Sequence, residues 1–182
     1  MNRKDFLKNC VCGVCTCAIA SAFTPAVHAT AEAKPTEDWR PQFIKQRYAK
    51  LLEILSRKMD EKTLDDALRQ LGAYCASTLP LIDRHKGDVD GYIREFKKLA
   101  NEDITYDREK GVITITGPER GDCYCPLVDR RSTPKVVCNC SLGWQEYTYE
   151  TLLGRNVRVE LTESVVRGGK RCTFVVHIGD AA

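Results

Sequence analysis

Histidine is scarce in this chain: three residues in 182, at His28, His85 and His177. That excludes a histidine-rich metal site, and no Ser, His and Asp set points to nucleophilic hydrolysis. No glycine-rich loop of the phosphate-cradling kind is present, so nucleotide chemistry has no anchor. No apolar run reaches the roughly 18 residues that a membrane-spanning helix needs. Charge of one sign is lacking as well. Residues 1–29 hold Arg3, Lys4 and Lys8 against Asp5, and removing them leaves 25 basic and 24 acidic side chains. A body so close to neutral has no overall electrostatic footprint for nucleic acid or for an anionic membrane. There is no internal repeat and no low-complexity segment. The length suits one domain of ordinary size.

What is abundant is cysteine. Of ten, four lie near the start, at Cys10, Cys12, Cys15 and Cys17, and six lie downstream. Cys123-Tyr124-Cys125 is followed after twelve residues by Cys138-Asn139-Cys140, which gives four thiols in eighteen residues. A C-x-C pair holds two sulfurs close together on a short segment, and two such pairs can converge on one tetrahedral cation. Zinc is the least demanding occupant of four thiolates. Two other states fit the same residues. An oxidising compartment would favour disulfides, of which four cysteines permit three pairings. Four cysteines also suffice for an iron–sulfur cluster, although the spacing differs from the ferredoxin runs. Cys138 and Cys140 stand just before an expected helix, where free N–H groups favour thiolate. Pro126 restricts the arm behind Cys125.

The N-terminus reads as an address. A basic start leads into a weakly apolar run from about Val11 to Phe23, then Val27-His28-Ala29, which suits cleavage after Ala29. Asn2-Arg3-Lys4-Asp5-Phe6-Leu7-Lys8 resembles the twin-arginine export signal, with Arg-Lys in place of Arg-Arg. The resemblance implies export through that machinery in the folded state, to the periplasm or another extracytoplasmic space. The four early cysteines then belong to a signal peptide and not to a metal site. Residues 30–37 read as a polar linker, and residues 38–182 as a single α+β domain.

Within that domain, Trp39, Phe43, Ile44, Tyr48, Leu51, Leu52 and Leu55 recur at helical spacing, which predicts a helix from Asp38 to about Met59. A second helix is expected over 61–78, with Cys75 in its apolar stripe as a small core residue and Pro80 ending it. A third runs over 88–100 behind the N-cap residue Asp88. His85 sits in the charged link before it, as a solvated loop histidine. Residues 104–107 and 112–116 read as a hairpin, 142–153 as a helix ended by Gly154, and 156–163 with 171–178 as a second hairpin. Alternation places Cys172 in the core and points His177 away from it. Glu163 is in phase with apolar neighbours, either as a fraying strand end or facing a pocket or metal. Helices followed by hairpins predict an α+β fold with an antiparallel sheet.

From Cys138 onward the chain resembles the 4-vinyl reductase domain family. The resemblance lies in Gly143-Trp144 through Tyr147, Leu152-Leu153-Gly154-Arg155-Asn156-Val157, Glu160 to Glu163, and Gly168-Gly169-Lys170-Arg171-Cys172-Thr173-Phe174. It implies an α+β module that binds a small hydrophobic or aromatic ligand, with zinc held by cysteines in some members. Carried over, the metal ligands are Cys123, Cys125, Cys138 and Cys140, while Trp144, Tyr147 and Glu163 are candidates to contact a ligand. Zinc-holding members often carry a cysteine where Ser164 stands, so the ligand set here departs from the family's. The expectation is an exported zinc domain that binds a small molecule. The alternative is a redox protein or enzyme using the cysteines as a dithiol or iron–sulfur centre. No catalytic residues are assigned.

Overall fold

Three aspartates set the starts of the first long helices. Asp38 accepts from the backbone N–H of Arg40 at 3.1 Å, Asp60 from Thr63 at 3.0 Å and Asp88 from Gly91 at 2.8 Å. Each satisfies a donor that the first helical turn leaves free. In the computed structural model, which describes residues 38–179, these caps open α1 (Trp39–Lys58), α2 (Glu61–Ser77) and α4 (Val89–Ala100). The expected signal peptide and linker lie outside the described residues. Between α2 and α4, Pro80 begins a short helix, α3 (Pro80–Arg84), instead of only ending one. Proline lacks just the N–H that a first helical position would leave unpaired.

Asn101, in the left-handed conformation, turns the chain out of α4 and into a sheet. Strands β1 (Asp103–Asp107), β2 (Val112–Thr116), β3 (Arg158–Glu163) and β4 (Thr173–His177) form one antiparallel sheet in the order β1-β2-β4-β3. Its register aligns Ile104, Ile115, Phe174 and Leu161 in one row, and Ile113, Val176 and Val159 in the next. Period-two alternation puts these residues on one face. They meet α5 (Cys138–Leu153) through Leu142, Tyr149 and Leu152, in a core that also takes in Ile82 and Tyr92. The α+β class expected from the sequence is the observed one.

Two boundaries differ from the expectation. Helix α5 starts at Cys138 and not at Leu142, behind a single 3₁₀ turn, Lys135–Val137. Its N-cap, Val137, makes no side-chain cap bond, so nothing in the sequence announced the start. The second hairpin is also wider, with residues 164–172 outside the strands. Glu163 clips this turn by accepting from the N–H groups of Lys170 (2.8 Å) and Arg171 (3.4 Å).

Helices α2 and α5 cross at a glycine seam. A Cβ on Gly72 would lie 1.8 Å from the Cys140 carbonyl oxygen, and one on Gly143 would lie 2.1 Å from that of Arg69. No side chain fits at either point, so the two backbones touch. Arg69 locks the crossing by pairing with Asp65 on its own helix at 2.8 Å and with Glu146 on α5.

Candidate functional site

The seam fixes where the thiols go. Cys138 and Cys140 occupy the first turn of α5, while Cys123 and Cys125 come from the irregular segment 117–134. That segment is held down at several points. Asp122 accepts from the N–H groups of Cys123 (2.8 Å) and Arg130 (2.9 Å), and its carboxylate lies 3.8 Å from Lys45 of α1. Val128 donates its N–H to the Cys125 carbonyl at 3.1 Å and buries its side chain among Leu52, Leu64, Leu68, Val137 and Val166. Asp129 and Thr133 close the next turn through two bonds, at 3.1 and 2.9 Å.

The result is one cavity of about 40 Å³, lined among others by Cys123, Cys125, Cys138, Cys140, Cys172 and Ser164. All four C-x-C cysteines are therefore brought together. Cys172 joins them from the wide turn before β4, half-buried at the cavity wall. Ser164, fully enclosed, places its hydroxyl 3.2 Å from the Cys138 sulfur. Position 164 thus faces the thiols. Tyr48 of α1 supplies another wall. Cys75 is exposed on α2, one turn beyond Gly72, and neighbours Cys140 across the seam.

Burial dominates the electrostatics. It pushes the Cys140 thiol up to about 12, with Cys75, Cys125 and Cys123 adding to the shift. It pushes Cys123 up to about 11, with Cys125, Cys172 and Cys138 nearby, against a lowering backbone hydrogen bond at Cys125. Cys172 is raised by burial too. The Tyr48 phenol rises to about 12, first from burial and then from Cys140, Cys125, Cys75 and Cys123. For Cys140, desolvation outweighs the helix N-terminus that favours thiolate. Without a cation, Cys123, Cys140 and Cys172 are neutral thiols at pH 7. All six described cysteines are free.

The donor set fits a thiophilic cation in kind, since thiolates select zinc, and a cavity this small admits an ion and not an aromatic molecule. Among the described residues no three His, Cys, Asp or Glu side chains already stand at ligating separation. The thiols surround the space without closing on a point.

The candidate ligand contacts fall elsewhere. Trp144 packs against the main core with its ring 5.8 Å from that of Phe96, and Tyr147 packs on the same cluster. Glu163 serves the turn described above. His85 is not a solvated loop residue: it ends α3 half-buried, with Nε2 2.9 Å from Glu95 and Nδ1 3.7 Å from Asp88. Cys172, Ser164 and Tyr48 were not recognisable as cavity residues from spacing. Each reaches the site through tertiary folding from a distant segment.

No protein-family model and no curated protein matches the chain. Among solved structures, it is similar to trafficking protein particle complex subunit 3 from Naegleria fowleri, covalently bound to palmitic acid. The identity is 16%, the TM-score is 0.47, and the match covers 79% of this chain and 98% of that one.

Proposed function

We propose that this is an exported thiolate metal-binding domain, with zinc held by Cys123, Cys125, Cys138 and Cys140. The observation that carries the reading is an ion-sized cavity onto which both C-x-C pairs open. Cys172 and Ser164 stand beside them as further polar or sulfur donors. The resemblance to zinc-holding 4-vinyl reductase domains and the twin-arginine-like leader support the same reading. A metal installed before export would keep vicinal thiols from oxidation. Four thiolates drawn onto one ion would close its shell, so zinc would be structural here, with no open position left for catalysis. The small-molecule half of the reading rests on that resemblance, through Trp144 and Tyr147.

The test is metal and thiol analysis of the full chain purified without oxygen. The expected result is one zinc per chain, lost in Cys138→Ser, and a cobalt-exchanged form with intense thiolate absorption bands. Iron with visible absorbance would replace zinc by a cluster. A metal-free protein whose thiols have paired would make the site a redox dithiol.

A further inference from the structure

The near-neutral total conceals an uneven distribution. Helix α1 carries Arg40, Lys45, Arg47, Lys50, Arg57 and Lys58 against the single acid Glu53. The same helix is the least submerged. Trp39, Phe43, Ile44, Leu51 and Ile54 are all between 41% and 66% exposed. At about 100° per residue, these five side chains fall within one arc of roughly 140°. Arg40, Arg47, Lys50, Arg57 and Lys58 project from that same arc. Arg40 is paired to Asp38, and Lys50 and Arg57 share Glu53, so the cations outnumber the two carboxylates there. The opposite side, with Leu52, Tyr48 and Leu55, holds the helix to the body.

We infer that this face of α1 is a docking surface for an anionic lipid bilayer. An exposed run of large apolar side chains calls for a partner, and interleaved cations specify its charge. A basic helix with aromatic and aliphatic side chains can lie in the interfacial plane, its apolar groups inserted and its Arg and Lys heads reaching phosphates. Arg47 illustrates the pairing: its guanidinium stands 4.4 Å from the ring centroid of Phe43. Phe43, Ile44, Arg47, Leu51 and Leu127 line an open groove of about 280 Å³, which extends the apolar strip onto segment 117–134. A second copy of the chain is the poorer occupant, because self-pairing would bring together two helices each with six cations and one carboxylate. No helix among the described residues is long and apolar enough to cross a membrane, so the attachment is peripheral.

The experiment mixes the full chain with vesicles of phosphatidylcholine alone, or of phosphatidylcholine with phosphatidylglycerol. Association is read by co-sedimentation and by tryptophan emission. The expected result is selective binding to the anionic vesicles, with a blue shift that Trp39→Phe abolishes. Raising salt to about 0.5 M should weaken binding by roughly tenfold or more, because exposed charges are then screened within a few ångströms. Phe43→Glu with Leu51→Glu should abolish binding while circular dichroism stays unchanged. Residues 1–37 are present in every protein compared, so a Phe43→Glu, Leu51→Glu variant that still binds would assign the attachment to them and overturn the inference. Absence of binding to anionic vesicles would overturn it as well. So would a wild-type dimer that the same variants split without any vesicle binding, since α1 would then be a self-association face.

Discussion

Around Ile113 and Val176 the protein is filled by aliphatic and aromatic side chains drawn from the sheet, α3, α4 and α5. Around Val128 and Cys138 the filling is sparser, with seven buried residues where the first cluster has fifteen, and thiols make up much of its edge. The first region is closed by strand pairing and helix packing. The second is closed by segment 117–134, which has no regular structure and lies down through Val128, Asp122 and a few turn bonds. The difference separates what folds this domain from what finishes it. Burial of apolar area suffices for the larger cluster, whereas the smaller one gathers thiols that, under the proposed function, would stabilise the fold chiefly when bound to metal.

The comparison is open to breakage, most directly in the larger cluster. Leu152→Ala or Ile113→Ala should cost about 2–5 kcal/mol in urea unfolding, with or without zinc. A zinc-dependent loss would mean the two clusters are not separable. Next in size is metal removal. At free zinc about 100-fold above Kd, chelation should lower stability by about 2.7 kcal/mol. Hydrogen exchange should quicken in segment 117–134 and in the first turn of α5, with β2 and β4 unaffected.

A smaller effect belongs to Glu102, beside the larger core. Burial holds its carboxyl above the ordinary range, partly offset by Arg120, and one of its oxygens has no hydrogen-bond partner among the described residues. A raised folded-state pKa means that folding favours the protonated form. This destabilisation therefore sets in as pH rises through the unfolded carboxylate's pKa and is complete above the folded one. Glu102→Gln should raise the melting temperature at pH 7 and leave it unchanged at pH 3. A loss at pH 7 would show that the carboxylate has a partner. The smallest effect expected is that of Ser164→Ala, about 1 kcal/mol for the bond to Cys138. If zinc content also fell, Ser164 would be part of the metal's support.

Much of this was legible in the chain. The helical spacing of α1, α2 and α4, the Asp88 cap and the alternation in the β-strands follow local rules, and the elements form where these place them. Trp39, Phe43, Ile44 and Leu51 of the α1 stripe nevertheless stay exposed. The two C-x-C pairs were also visible, because their spacing is short. Local rules failed at α3, where Pro80 reads equally as an end or a beginning, and at the uncapped start of α5. They failed again for Cys172 and Ser164, which enter the cavity only because β3 and β4 return beside α5. Cys75 looked like a core residue from its stripe, yet the touching backbones at Gly72 leave it at the rim.

That glycine seam has a mechanical consequence. With α2 and α5 in backbone contact, Cys75, Cys138 and Cys140 sit on one fixed jaw whose geometry no side-chain rotation can relax. Cys123 and Cys125 sit on the other jaw, a segment pinned at Asp122, Val128 and the Asp129–Thr133 turn. Should the thiols close on an ion, the irregular segment would have to move toward them, because the helices touch backbone to backbone and serve as the anvil.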